Sequence, residues 1–358
     1  MEQPNAPRFF LGANSKTGFF SLYDSFTDPA AGDFLWVIKG GPGCGKSSFM
    51  KRIGAAAEQA GLRAEYILCS GDPDSLDAVY FPERRVAYVD GTAPHVIEPK
   101  YPGAASLYLD LGAYLDAGAL EACLPEIMEL NRRYKALYGT AYDQLAAAAA
   151  LLPKNQPTTA AQRAETALER RIGGIIAREL RPQKKSGTCA HRFLSARSCR
   201  GHVLLTDTLQ ALGERCILLD NALGLGHVAL EKLTAAALAR GYDAILCHDS
   251  LEPEKPEALL LPERSLGFLA VEDSALPLPE PERRVRLDAL AARYLDAEER
   301  PLLRQRRRES RALLTVAEGT LARAKALHDE LEAVYHPHVD FDGVGALAED
   351  HIRWLLEP

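Results

Sequence analysis

Residues 40–47 read Gly-Gly-Pro-Gly-Cys-Gly-Lys-Ser, and the residues on either side of them predict three consecutive elements. An apolar run, 34–38, comes directly before the stretch and indicates a buried strand. Apolar residues at helical spacing follow it from Gly45 to a glycine at position 61, which indicates a helix and its end. The stretch matches G-x-x-x-x-G-K-[ST], a turn whose backbone N–H groups cradle phosphates at a helix N-terminus.

The residues expected to bind the phosphates of a nucleotide are consecutive in the chain. They are Gly40, Gly41, Pro42, Gly43, Cys44, Gly45, Lys46, Ser47 and Ser48. Within this set, Lys46 is predicted to reach the β- and γ-phosphates, and the Ser47 hydroxyl to ligate Mg²⁺. The sequence contains no Asn-Lys-x-Asp segment of the kind that reads guanine, so the expected ligand is ATP.

A carboxylate is expected beside the metal, at the end of a neighbouring strand. The run RRVAYVD, 84–90, supplies Asp90 there, and we predict that it holds Mg²⁺ together with Ser47. The alternative is an ordinary solvated aspartate at a strand end. Gly91, and not glutamate, follows Asp90, so the adjacent carboxylate that many ATPases use to orient water is missing. Hydrolysis is therefore expected to be slow or to use a base elsewhere.

Two further candidates for catalysis lie close to predicted strand ends. The acidic loop 72–77, Asp-Pro-Asp-Ser-Leu-Asp, follows a predicted strand at 64–69. With Asp72 as its candidate residue, it could orient water, hold Mg²⁺ through water or bind a phosphate acceptor. Alternatively it begins a helix with Asp74 as the N-cap. His95 could contact a phosphate or act as a general acid or base, or it could make only a local hydrogen bond.

The chain contains an internal repeat with a constant offset of 180 residues. The matching blocks are Gly61 and Gly241, Pro73 and Pro253, 82–84 and 262–264, 114–117 and 294–297, and 139–140 and 319–320. One offset across separated blocks indicates a tandem duplication, with units 1–182 and 190–358. Each unit is predicted to be an α/β body of the P-loop NTPase fold, with a mainly parallel sheet covered by helices on both faces. Helical arms are expected at about 119–180 and 302–356.

The second unit carries a degenerate copy of the glycine-rich loop. The repeat pairs Gly43 with Gly224, Gly45 with Gly226, Lys46 with His227, Ser47 with Val228 and Asp90 with Ala270. Loss of the ammonium, the hydroxyl and the carboxylate together predicts a pseudo-site that does not hold Mg-nucleotide. We expect the second unit to serve the first as a structural or regulatory lid.

Two other segments of the second unit contain residue types used in binding. The arginines of 304–311 could grip phosphates or supply an arginine finger, but the intervening Glu309 favours a solvated, salt-bridged helix face. The segment 336–342, His-Pro-His-Val-Asp-Phe-Asp, has metal-ligand residue types. Its proline and the helix predicted after it favour a turn between helices with an acidic N-cap.

Composition restricts the class of protein. The 358 residues are 47% hydrophobic and 25% charged, which is typical of a globular protein and excludes disordered, collagen-like and membrane classes. Lys and Arg number 42 against 49 Asp and Glu, and the net charge of −7 argues against a nucleic-acid partner. Seven cysteines without a CxxC pair, and an N-terminus without an export pattern, predict a cytoplasmic protein with reduced thiols and no membrane anchor.

Taken together, four segments resemble a bacterial family of tandem-duplicated P-loop proteins that are usually labelled ATPase or P-loop NTPase. They are FFLGANSKTGFFSLYDSF (9–26), IKGGPGCGKSSFMKRIG (38–54), CSGDPDSLDAV (69–79) and VAYVDGTAPHV (86–96). The resemblance spans nearly the whole chain, and the second unit departs from it at its degenerate loop. It implies ATP binding and leaves the substrate open.

The sequence therefore predicts a Mg-ATP-binding P-loop NTPase with one competent site, in which slow hydrolysis is coupled to a conformational change. One alternative is a nucleotide or small-metabolite kinase that uses the 72–77 loop for its acceptor. Another is a nucleotide-gated scaffold without turnover, whose helical arms recruit a protein partner.

Overall fold

The computed structural model describes residues 6–94, 96–152, 159–272, 278 and 280–357. The strands of the first half are β1 (Arg8–Phe10), β2 (Gly12–Ser15), β3 (Gly18–Ser21), β4 (Phe34–Lys39), β5 (Glu65–Leu68), β6 (Leu76–Phe81), β7 (Val86–Asp90) and β8 (Ser106–Asp110). Those of the second half are β9 (Cys189–Phe193), β10 (Ser195–Ser198), β11 (Gly201–Leu204), β12 (Arg215–Asp220), β13 (Ala244–His248), β14 (Pro256–Leu261), β15 (Leu266–Val271) and β16 (Arg283–Val285). The α-helices are α1 (Lys46–Gln59), α2 (Ala117–Ala122), α3 (Leu124–Leu151), α4 (Thr159–Arg163), α5 (Glu165–Glu179), α6 (Thr206–Leu212), α7 (Leu225–Ala239), α8 (Asp288–Ala292), α9 (Glu299–Tyr335) and α10 (Phe341–Leu356).

One twelve-stranded sheet runs through both halves of the chain, in the order β16-β12-β15-β14-β13-β9-β1-β5-β6-β7-β4-β8. Read outward from its centre, each half repeats the same succession of parallel and antiparallel pairings. The two halves meet where Phe10 of β1 pairs antiparallel with Phe193 of β9. Two separate hairpins, β2-β3 and β10-β11, lie outside this sheet.

The prediction of an α/β fold is confirmed, and the sheet, which was predicted to be mainly parallel, is mixed. The sheet is mixed because β6 and β14 each run antiparallel to both of their neighbours. The run 76–81, which includes the last two residues of the acidic loop, forms β6, where the sequence patterns indicated no strand. A short turn can join only antiparallel neighbours, so the chain folds back on β5 before β7 begins.

The strand, turn and helix around residues 40–47 form as predicted. Strand β4 ends at Lys39, and helix α1 begins at Lys46 and ends just before a left-handed Gly61. Consecutive residues of β4 face opposite sides of the sheet, and Val37 and Ile38 are both fully buried in different core clusters. The sheet is therefore covered on both faces at the point where the loop leaves it.

The two long helices α3 and α9 pack against each other antiparallel along their length. The Ser310 hydroxyl of α9 donates to the carbonyl of Ala148, near the C-terminal end of α3. At the other end of the pair, buried Ile127 and Leu130 of α3 pack with Leu327 and Leu331 of α9. The helical arms thus fold onto each other.

The helices that end each half cross over to the other half. Helix α10 packs on α1, with Val344 and Ala348 in one buried cluster with Phe49 and Met50 of the first half. Helix α5 packs on α7 of the second half, and Ile172 is 1% exposed in a cluster with the core of that half. Each half of the sheet is therefore completed by a helix from the opposite half.

No helix in the described parts of the chain is both long enough and apolar enough to cross a membrane. All seven cysteines are free thiols.

Candidate functional site

The glycine-rich loop leaves the carboxyl end of β4 and leads directly into α1. Gly43 and Gly45 have φ angles of 67° and 89°, in the left-handed region that glycine adopts without strain. Gly45 is the N-cap of α1, so the positive end of the helix dipole points at the loop. Cys44 is fully buried beneath the loop. The turn therefore has the backbone conformation and the helix terminus that phosphate binding requires.

Lys46 and Asp90, which are 44 positions apart in the sequence, are brought together at this loop. The Lys46 ammonium lies 2.9 Å from the carbonyl oxygen of Gly41 and 3.7 Å from Oδ2 of Asp90, and both side chains are largely buried. The other carboxylate oxygen of Asp90, Oδ1, accepts hydrogen bonds from the N–H and the hydroxyl of Thr92, at 2.8 and 2.6 Å. This anchoring directs Oδ2 of Asp90 toward the lysine.

Ser47 and Asp90 provide the oxygen donors that Mg²⁺ prefers. The Ser47 hydroxyl oxygen accepts the N–H of Leu76 at 2.9 Å, which ties the first turn of α1 to the start of β6. A hydroxyl and a carboxylate, combined with phosphate oxygens and water, form the usual ligand set of Mg²⁺ in nucleotide sites. The residues present therefore fit the predicted metal. Ser48 is exposed at the start of α1.

The acidic loop 72–77 is a turn into β6, so the alternative of a helix start with Asp74 as N-cap is wrong. The Asp72 carboxylate accepts the Ser75 hydroxyl at 2.9 Å and lies 3.4 Å from the ammonium of Lys325 on α9. Although burial opposes it, these two partners hold the pKa of Asp72 below its usual value. Asp74 pairs with Arg200 of the second half. The Tyr23 hydroxyl donates to Asp77 at 2.8 Å.

The remaining catalytic candidate from the sequence, His95, lies outside the described residues.

Helix α9 of the second half lies directly against the loop. A Cβ on Gly43 would come within 3.1 Å of the carbonyl oxygen of Glu332, and a Cβ on Gly41 within 3.0 Å of the Tyr335 ring. A side chain at either loop position would therefore require α9 to shift by a few tenths of an ångström, and at Gly43 the left-handed φ also favours glycine. The second half thus covers one side of the predicted phosphate site.

The face of α9 that covers the loop carries polar groups that the sequence analysis did not single out. They are Lys325, His328 and Glu332, spaced three and four residues apart, followed by Tyr335. The His328 ring lies 3.7 Å from the Glu332 carboxylate, and burial lowers the pKa of this histidine. These residues could have been found from their spacing, because polar side chains recur every three or four positions on a helix whose other positions are packed.

The second half forms the same turn in a shorter version. Gly224 is the left-handed N-cap of α7, as Gly45 is of α1, and the loop 221–224 is shorter than the loop 40–45. Lys46 is the first residue of α1 and Leu225 is the first residue of α7. Leu225, and not the predicted His227, therefore corresponds to Lys46. Ala270 pairs with Leu219 as Asp90 pairs with Ile38, which agrees with the predicted alignment of these two residues.

A carboxylate of the protein occupies the N–H groups of this second loop. The N–H groups of Ala222 and Leu223 donate to the two carboxylate oxygens of Asp288, at 3.0 and 2.9 Å. In the first half, the strand register places Gly112 at the position that corresponds to Asp288, beside Gly40. Because glycine has no side chain, the first loop is not filled in this way.

Two other sequence candidates are also located. Arg307 is half-buried, and one of its guanidinium nitrogens lies 3.4 Å from the carbonyl oxygen of Ala222, while Arg304 and Arg308 are exposed. The arginine run thus lies only partly on a solvated face. In 336–342, Asp340 caps α10 by accepting the N–H of Gly343 at 2.9 Å, as expected for a turn between helices.

Comparison of the chain with protein-family models, with curated proteins and with solved structures finds no match.

Proposed function

We propose that the chain is a P-loop NTPase that binds Mg-ATP at one site, formed by the loop 40–47, and hydrolyses it slowly with coupling to α9. The observation that carries this proposal is the Lys46 ammonium, held between the loop carbonyl of Gly41 and the carboxylate of Asp90 at the N-terminus of α1. The repeated succession of strand pairings supports the further proposal that the halves are tandem duplicates.

Different residues of the first half would bind the phosphates and the metal of Mg-ATP. The N–H groups at the start of α1 would receive phosphate oxygens, and Lys46 would turn from Gly41 to their negative charge. Ser47 and Asp90 would hold Mg²⁺, which neutralises charge on the transferred phosphate when it is bound. Asp90 lies beside the lysine and would itself be a metal ligand, so one carboxylate would orient both cations.

A single nucleotide per chain is expected, because Asp288 already satisfies loop N–H groups in the second half. We expect isothermal titration of the full chain with ATP in Mg²⁺ to give a stoichiometry of one. ADP release should be slow, below about 10⁻² per second, as in NTPases that lack an activating group. Two sites per chain would contradict the pseudo-site, and no binding at all would contradict the proposal. ADP release that requires an added acceptor would favour the kinase alternative.

The contact of α9 with the loop supports a coupling role for the second half. Lys325 of α9 pairs with Asp72, and Arg200 of the second half pairs with Asp74, so both acidic side chains already have cationic partners. This arrangement favours a link between the halves over a binding loop for a phosphate acceptor. Movement of Lys46 and the loop on nucleotide binding would be transmitted to Glu332 and Tyr335, which lie against the loop.

We expect Mg-ATP to change hydrogen exchange in two places, measured by mass spectrometry on the full chain. Amides of 40–50 should become more protected, because they would bind phosphate. Amides of 320–338, on the covering face of α9, should change as well. Peptides from 230–240, at the end of α7, serve as an internal control and should not change. Protection confined to 40–50 would refute the coupling and leave a simple nucleotide site.

A further inference from the structure

The face of α9 that covers the glycine-rich loop extends from there to the acidic loop. At one end of this stretch, the Lys325 ammonium lies 3.4 Å from the Asp72 carboxylate. At the other end, the backbone of Glu332 lies over Gly43, within 3.1 Å of the point that a Cβ would occupy. His328 is three residues after Lys325 and four before Glu332, so all three side chains share one face of the helix. His328 therefore lies over the space between the two loops.

The proposed site places the reacting phosphate of ATP in this same space. Lys46 would bind the transferred phosphate, and its positive charge is close enough to act on the His328 ring. Residue 91, which follows Asp90, is a glycine, so it provides no base for the attacking water. A role for His328 here rests on the proposed function, because it requires ATP in the glycine-rich loop.

Two neighbours hold the His328 imidazole. Its Nδ1 faces the Glu332 carboxylate at 3.7 Å, and the Tyr134 ring of α3 meets it edge-on, with the ring centroids 5.6 Å apart. A carboxylate beside one ring nitrogen orients an imidazole and leaves Nε2 to exchange protons. Catalytic hydrogen bonds are often long before the substrate binds. The His328 side chain is 35% exposed, so water can reach it.

The surroundings of His328 favour its neutral form. Burial opposes protonation and lowers the pKa of the imidazole. Two ammonium groups also oppose a further positive charge, whereas two carboxylates favour one. These charged groups are Lys46, Lys325, Asp329 and Glu332. Burial raises the pKa of Tyr134, so this neighbour is uncharged at neutral pH. A neutral imidazole can accept a proton, as a general base must.

The aspartates nearest the glycine-rich loop are already engaged in other contacts. Asp72 and Asp74 have cationic partners from the second half. Asp90 lies beside Lys46, accepts two hydrogen bonds from Thr92 and is the proposed ligand of Mg²⁺. A carboxylate that holds a cation is a weak proton acceptor, because the cation lowers its pKa. These contacts favour His328 over the aspartates as the base.

We propose that His328 is the general base of ATP hydrolysis, and that Glu332 positions its ring. The water oxygen forms a bond to the γ-phosphorus, while the bond from that phosphorus to the oxygen shared with the β-phosphate breaks. The electron pair of the broken bond leaves with ADP. One proton of the water passes to Nε2 of His328 and then to solvent, and the other stays on the released phosphate. The second half thus supplies a catalytic group to the site of the first half.

The first test compares His328→Gln with the unaltered full chain. Glutamine is polar and of similar size, but it does not take up a proton at neutral pH. Single-turnover ADP formation should slow at least about 100-fold, because general bases contribute about 10²–10⁴-fold. The affinity for Mg-ATP, measured by titration calorimetry, should stay within about threefold. The matched control is His336→Gln, at an exposed histidine directly after α9, which should change neither quantity.

The protonation of His328 provides a second readout. The single-turnover rate of the unaltered chain should fall as the pH drops through the pKa of His328, since a protonated ring cannot accept a proton. His328→Gln should lose this dependence. In NMR spectra of the chain with ¹⁵N-labelled histidines, the signal that His328→Gln removes should shift when a non-hydrolysable Mg-ATP analogue binds. Glu332→Gln should lower the pKa read from that signal, because the carboxylate raises it.

The outcomes separate the base from the ATP site. Unchanged turnover in His328→Gln, with ATP bound by both chains, would overturn the role of His328 and leave the ATP site standing. Binding of ATP without turnover in the unaltered chain would overturn that role as well. Failure of the unaltered chain to bind ATP would instead refute the proposed function, and the base with it. Circular dichroism of each variant checks that it is folded.

Discussion

Lys46→Ala is expected to weaken Mg-ATP binding at least about 50-fold and to abolish detectable ADP production. The lysine would make charge-assisted hydrogen bonds to two phosphates, and each such bond contributes about 1.5–3 kcal/mol. In this chain the substitution also removes the cationic partner of the Asp90 carboxylate, so one positive charge fewer would offset the negative charges of the carboxylate and the phosphates. Titration calorimetry and an ADP assay on the same samples measure both effects.

The matched control for this substitution is Lys232→Ala. Lys232 lies on α7, the helix of the second half that corresponds to α1, and forms a surface ion pair with Glu169 at 3.2 Å. Such pairs contribute about 1 kcal/mol or less, so binding and turnover should match the unaltered chain. Turnover that persists in Lys46→Ala, or an equal loss in both variants, would exclude the loop 40–47 as the nucleotide site.

Ile172→Asp is expected to remove at least about 4 kcal/mol from the free energy of unfolding, a large part of the roughly 5–15 kcal/mol of a typical domain. Ile172 is 1% exposed on α5, and the cluster around it consists mainly of residues from the second half. An aspartate there would bury a charge without a partner and lose the packing of the isoleucine. Chemical denaturation followed by circular dichroism measures the loss.

Ala177→Asp places the same charge on the exposed face of the same helix and should cost only about 1 kcal/mol, from lower helix propensity and the negative end of the helix dipole. A similar small loss for both variants would show that α5 does not pack on the second half. A large loss confined to Ile172→Asp would support the crossover of the terminal helices, because α5 would then be needed to complete the core of the opposite half.

Local features of the site can be predicted from the sequence because interactions between residues close together in the chain determine them. The spacing of glycines in 40–47, the apolar run before them and the helical periodicity after them predict β4, the turn and α1, and the structure contains all three. Asp90 was found by the same reasoning, as the residue that ends an apolar run.

Which strands pair and which side chains come into contact was determined only by the tertiary structure. The sequence patterns did not indicate that β6 would fold back between β5 and β7, because a run of six residues carries no information on its pairing partner. Likewise, Lys325 and Asp72 are 253 positions apart, and they meet because α3 and α9 pack together and bring the second half over the loop. Local periodicity predicts the face that a helix buries, whereas the partner of that face depends on how the whole chain packs.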